Sequence, residues 1–413
     1  MGRPILVRGA RQLLTLRGPA GPRRGSDLRN LGLLQDGSVL IVDGVIREVG
    51  PTRRVENLAI SRDALEISAT GRVVMPGFVD SHTHLVSGAP RLAEFESMIA
   101  GANPAAADAH PLEIEATSGS TLEYQAARLI HDCVREGTTT LEAKSGFGVT
   151  EAGELKILRT YAALDGHPIP VIPTAMVSAL FAGGGPLEYL THLLPIVRRR
   201  GLAQFVDVEY EDGAFGYEEC REFLRAARQL GFGVKIHGGQ RSPTRAAELA
   251  LEADAASVDH AIYLDELQMA LLARSNTVAT LLPGSVFYQG GERYAQARRL
   301  IDAGVAVALA SNYNSRTCPS HNMQMMIALG CRAMRMTPAE AISAATINGA
   351  HALRRAGRAG SIELGKDADL VILAAPDYRE LAYHFGVNLV EQTIRRGRVI
   401  YNRGSVAAGA ELS

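Results

Sequence analysis

Hydrophobic and polar positions follow two rhythms along this chain. Up to about residue 74, short β-rich runs alternate with turns. Ser38-Val-Leu-Ile-Val42 and Val45-Ile-Arg-Glu-Val49 flank the step Asp43-Gly44, which is a strong hairpin signal. The same texture returns near the end, in Ala368-Asp-Leu-Val-Ile-Leu373 and in two runs, Gln392-Thr-Ile-Arg-Arg396 and Arg398-Val-Ile-Tyr401, joined by Gly397. Two β-rich ends around a different middle predict one small β-sandwich domain, built from residues 1–74 and 359–413.

The middle, residues 75–358, alternates apolar strand-like runs with amphipathic helical text. Eight strand candidates stand at 77–80, 138–142, 170–172, 205–209, 234–237, 257–259, 277–281 and 305–309. Helical text such as Tyr217 to Leu230, Leu264 to Arg274 and Pro338 to Leu353 separates or follows them. Eight βα units in about 280 residues match a (β/α)₈ TIM barrel. An open doubly wound sheet is the alternative, but no Gly-x-Gly-x-x-Gly follows the first strand.

Composition narrows the class without naming a reaction. Of 413 residues, 46% are hydrophobic and 21% charged, ordinary for a soluble α/β enzyme. A formal net charge of −1 gives no basic excess for nucleic acid or acidic membranes, and the arginines at 198–200 and 395–396 read as solvated faces. Neither a signal-peptide core at the start nor a run near the roughly 18 apolar residues of a membrane span is visible. Cys133, Cys220, Cys318 and Cys331 show no paired spacing, so a reduced, cytoplasmic setting is expected.

Four of the eleven histidines stand where barrel chemistry would use them. His82 and His84 follow the first strand in Asp80-Ser-His-Thr-His84, and residues two apart on an extended segment project to one side. His237 ends the fifth strand and His260 the sixth, and such ends converge on one mouth of a closed barrel. Imidazole nitrogen suits zinc or iron(II), and a bound metal lowers the pKa of water from about 15.7 toward 7. Any one of these histidines could instead be a hydrogen-bonded core or cap residue. Four at strand ends favour a metal site. Histidines such as His110, His167 and His384 take no role.

At these residues the chain resembles a known family. Val74-Met-Pro-Gly-Phe-Val-Asp-Ser-His-Thr-His84 is similar to the opening of the amidohydrolase superfamily, and Gly365-Lys-Asp-Ala-Asp-Leu-Val371 to its return to the β-sandwich. Within it the chain resembles the imidazolonepropionases, which open a five-membered imidazolone ring in histidine degradation. Arg17-Gly-Pro-Ala-Gly-Pro-Arg-Arg24, Glu142-Ala-Lys-Ser-Gly146, Asp207-Val-Glu-Tyr-Glu211, Lys235-Ile-His237, Val258-Asp-His260 and Leu281-Leu-Pro-Gly284 carry that likeness. The resemblance implies one divalent metal ion, zinc or iron, on His82, His84 and His237. His260 would then assist proton transfer or polarise the reacting carbonyl, and Gln240 would be a polar contact in the catalytic site. Arg91 would clamp a substrate carboxylate with two parallel bonds, and Asn314 and Thr317 would hold its tail. A homodimer is implied as well.

The chain departs from that pattern in its pocket. Where the family reads Thr-Asp-x-Asn-Pro-Gly-Thr, this chain has Ser311-Asn-Tyr-Asn-Ser-Arg-Thr317. The metal-binding, proton-accepting aspartate is therefore Asn312, a weaker ligand that cannot serve as a general base. A tyrosine becomes Phe147, the Gly-Ala-His after strand three becomes Val177-Ser-Ala179, and a glycine becomes Arg316. Ala109-His-Pro-Leu-Glu113 replaces a glycine-rich segment. Three readings follow. The first is hydrolysis of a small cyclic amide or amidine with a carboxylate tail. The second is a repurposed enzyme using the metal as Lewis acid for cyclisation, dehydration or isomerisation. The third is a binding protein without catalysis.

Overall fold

The computed structural model describes residues 2–101 and 113–404, so the departure at residues 109–112 lies outside the described residues. The N-terminal part forms β1 (Ile5–Leu14), β2 (Leu33–Val42), β3 (Val45–Pro51), β4 (Leu65–Ser68) and β5 (Val73–Pro76). The middle forms β6 (Phe78–Asp80), β7 (Thr138–Lys144), β8 (Val171–Val177), β9 (Phe205–Tyr210), β10 (Gly233–Gly238), β11 (Ser257–His260), β12 (Val278–Leu281) and β13 (Val307–Leu309). Near the end come β14 (Leu370–Leu373), β15 (Val390–Arg395) and β16 (Arg398–Asn402).

Strands from both ends of the chain share one sheet, in the order β16-β15-β14-β5-β1-β2-β3 with β4 beside β1. The join is the antiparallel pairing of β14 with β5, Val371 opposite Met75. Val7, Leu13, Ile41, Val74, Ile372 and Ile394 bury their side chains in a core of this sheet's own. Its two hairpins turn on residue pairs with positive φ, Asp43 (51°) with Gly44 (81°) and Arg396 (46°) with Gly397 (77°). That geometry matches the twist of the flanking strands, which is why Asp-Gly signals it.

β6 to β13 pair in parallel and in chain order. All eight predicted barrel strands are present. Their apolar runs are buried on both faces, inside the barrel and under the helices. The circuit closes through segments just past the first and last strands. Asn312 N–H donates to the His82 carbonyl at 2.9 Å, and His84 N–H to the Tyr313 carbonyl at 2.7 Å. Closure thus sets residue 312 beside the His-x-His segment.

The stretch Pro338–Leu353, read from its periodicity as one helix, is interrupted. A helix over Pro338–Ser343 widens into a π turn over Ala344–Asn348 before Gly349–Ala352. The Asn348 amide explains the interruption: it accepts from Arg23 N–H at 2.7 Å and donates to the Arg23 and Val307 carbonyls. Among the described residues, no helix is long and apolar enough to cross a membrane.

Candidate metal centre and active site

The closing of the barrel brings four imidazoles to its C-terminal mouth. Ring centroids lie 5.5 Å apart for His82 and His84, 6.0 Å for His82 and His237, and 4.2 Å for His237 and His260. Backbone strain marks the rim: His260, Ala261 and Asn312 hold φ of 76°, 53° and 53°. Non-glycine residues in that region are uncommon and cluster at functional sites.

Three of the rings are anchored by one nitrogen. His82 Nδ1 bonds Asp259 Oδ2 at 2.7 Å, His84 Nδ1 bonds the Ser145 carbonyl at 3.0 Å, and His237 Nε2 bonds Gln240 Oε1 at 2.9 Å. Carboxylates and carbonyls only accept, so each of these nitrogens carries the proton and the other holds a lone pair. Among the described residues no hydrogen bond anchors the His260 ring. Burial, then Lys144, pushes the His84 pKa down to about 3. His82 is held well below the usual range by burial and Lys144, and His260 by burial and His237. His82, His84 and His260 are therefore neutral imidazoles at physiological pH, the form that ligates metal.

A divalent metal fits this arrangement. His82 Nε2, His237 Nδ1 and His260 Nε2 are buried without a hydrogen-bond partner, a costly state for polar atoms unless something occupies them. Ring nitrogens of His82, His237 and His260 lie within 4.8 Å of one another. By distance, then, His260 stands closer in than His84. By anchoring, His84 belongs with His82 and His237.

Beneath the histidines lies a buried ion network. Lys144 Nζ reaches Asp207 at 2.5 Å and Asp259 at 3.0 Å, while Lys235 Nζ reaches Glu142 at 2.6 Å and Asp259 at 3.4 Å. All five side chains are fully buried. Burial alone would raise Asp259, but Lys144 and Lys235 hold it well below the carboxylate range. It therefore stays ionised and fixes the His82 tautomer. For Glu142 burial prevails over the same two lysines and the pKa is raised. Sequence reasoning assigned these five residues no role. Their signal was charge at alternate positions inside otherwise apolar strands, Glu142 with Lys144 and Lys235 with His237.

Asn312 is buried, and its amide nitrogen donates to Ser285 Oγ at 2.6 Å. Asn314 is also buried, with its amide engaged inside its own loop. It donates to the Asn312 carbonyl and Thr317 Oγ1 and accepts from the Arg316 and Thr317 N–H groups. Phe147 packs edge-on against His84, centroids 5.0 Å apart. Beside it opens a cavity of about 380 Å³ whose lining includes Phe147, Arg91, Arg316, Glu94 and Glu113. Arg91 is ion-paired with Glu94. Burial, then the nearby Arg91 cation, lowers the Arg316 pKa. Thr317 and Gln240 lie outside that lining, at the loop and at His237 respectively.

A parallel barrel with a sheet from both termini, and a histidine cluster at its mouth, defines a metal-dependent hydrolase class. The Amidohydrolase family profile matches residues 73–400, and the chain belongs to that family. More narrowly, it is an amidohydrolase of the imidazolonepropionase type. The imidazolonepropionase of Alkaliphilus metalliredigens is 37% identical, covering 97% of this chain and 99% of the relative. That of Parabacteroides distasonis is 40% identical, covering 96% and 98%. Among solved structures, a zinc-bound adenosine deaminase from Xanthomonas campestris superposes with TM-score 0.70 at 19% identity, covering 98% of this chain and 97% of its own. A triazine hydrolase variant gives 0.74 at 16%, covering 99% of each. At those identities the likeness is one of fold. The curated relatives favour hydrolysis over the rearrangement and non-catalytic readings.

Proposed function

We propose that this protein hydrolyses a carbon–nitrogen bond in a small cyclic amide or amidine with a carboxylate tail, of the imidazolone propionate class. One divalent ion, zinc or iron, is held by His82, His84 and His237. The observation that carries the reading is the anchoring of those three rings, each bonded through one nitrogen to a neighbour, with His82 Nε2 and His237 Nδ1 buried and unpartnered among the described residues. Ligating histidines are held in that way. A metal there supplies Lewis acidity and a water that ionises near neutral pH.

The side chains do the rest. His260, neutral and unanchored among the described residues, accepts the proton, because the Asn312 amide cannot. Gln240 meets the substrate ring from its place on His237. Arg91 binds the tail carboxylate and Arg316 adds a second cation at the same cavity. Asn314 and Thr317 shape the loop that receives the tail, and Phe147 excludes water beside His84. The names of the curated relatives support the substrate class. A cytoplasmic homodimer is part of the proposal, and sedimentation showing only monomer at micromolar concentration would reject the dimer.

The substrate test compares imidazolone propionate with its methyl ester. Metal-loaded protein opens the acid and turns over the ester at least about tenfold more slowly, the loss expected when a guanidinium in the cavity meets no carboxylate. Equal rates would remove Arg91 and Arg316 from recognition. If neither compound is consumed, the substrate assignment fails.

A further inference from the structure

We propose that Ser285 is a positioning residue matched to Asn312, turning the amide so that its oxygen, and not its nitrogen, faces the histidine cluster. The inference rests on the metal-centre reading above. Ser285 lies in the short helix Pro283–Tyr288 that follows β12 at the barrel mouth. Its hydroxyl accepts from Asn312 Nδ2 at 2.6 Å, with both side chains buried. The Asn312 main chain is meanwhile bonded to the His82 carbonyl, so backbone and side chain are fixed independently. The Ser285 hydroxyl thereby offers an oxygen lone pair to the amide nitrogen.

Amides and carboxylates differ in what a half-turn does to them. A carboxylate has two equivalent oxygens, so rotating it by half a turn changes nothing a metal would sense. An amide has one acceptor end and one donor end. Turned the wrong way, it points N–H groups at a cation and at the lone pairs of the imidazoles. A residue at position 312 that is Asn therefore needs something to select its orientation. A buried hydroxyl placed at the nitrogen end does so.

The experiment measures zinc affinity by competition with a chromophoric chelator for four proteins: wild type, Ser285→Ala, Asn312→Asp, and the double variant. Ser285→Ala removes a single oxygen, and far-ultraviolet circular dichroism reports that the barrel persists. In the Asn312 background the change weakens zinc binding about three- to tenfold, the worth of one hydrogen bond. In the Asn312→Asp background the same change alters affinity by less than about twofold, because either carboxylate oxygen serves. Equal losses in both backgrounds would make Ser285 a packing residue and overturn the inference, as would no loss in either. If wild-type protein binds no zinc at all, the metal-centre reading falls and takes this inference with it. Zinc binding that ignores Ser285 refutes this inference alone.

Discussion

Replacing Asp259 by Asn probes whether the buried charges beneath the histidines hold the metal site. In the wild-type barrel three carboxylates, Glu142, Asp207 and Asp259, face two ammonium groups, Lys144 and Lys235, with no solvent access. Asp259 is the shared member, 3.0 Å from Lys144, 3.4 Å from Lys235 and 2.7 Å from His82. Its amide keeps the shape and can still accept from His82 Nδ1, yet it removes the charge both lysines rely on. Breaking a buried ion pair from one side costs about 3–5 kcal/mol. Loss of the partner behind a ligating histidine costs about 10- to 100-fold in metal affinity. Because one hydrogen bond to His82 survives, the lower end is expected: about tenfold weaker zinc binding. Thermal unfolding of metal-free protein should also shift down by several degrees. Chelator competition and a thermal melt read the two effects separately. Unchanged affinity with a lowered melting point would leave the network structural only and refute its role in orienting His82.

His84→Ala should lose most bound metal, whereas His260→Ala should retain it and lose turnover; plasma emission spectrometry and a rate assay decide, and the reverse pattern would make His260 the third ligand. Asn312→Asp should raise the ring-opening rate at least about tenfold, since general-base participation is typically worth about 10²–10⁴; an unchanged rate would put residue 312 outside the reaction path. Burial pushes the Glu154 carboxyl up to about 7 despite its bonds to Ser145 and to Gly148 and Gly146 N–H. A raised folded-state pKa means stability fully present below the usual carboxylate range and lost as pH rises toward 7, at no more than about 1.4 kcal/mol per pH unit. Melting points of wild type should therefore fall from pH 5 to 7 relative to Glu154→Gln, and parallel curves would contradict the buried proton.

The strands and histidines were legible because each is written locally. Apolar runs in β6 to β13 are unbroken enough to read, the Asp43-Gly44 turn carries its own conformational demand, and His82 and His84 are two residues apart. What was not legible is made by distant pairs. Asp259 meets His82 across 177 positions and Lys235 meets Glu142 across 93, and no periodicity announces which inward-facing charges will touch. The π turn at Ala344–Asn348 was hidden for the same reason, since it answers to Arg23. Asn312 stood out as a departure from a pattern, but its partner Ser285, 27 positions earlier, had no signal until the barrel closed. The bonds that tie the Asn314 amide into its own loop likewise appear only in the structure.

Turnover should depend on a single metal held by the histidine cluster. Its most direct test is a titration of metal-free protein with zinc or iron(II), following ring opening of imidazolone propionate at each addition. Ring opening should be absent without metal, rise linearly with each addition, and break at one equivalent per chain. Activity that survives exhaustive chelation, or a rate that stays at zero past one bound equivalent, would contradict it.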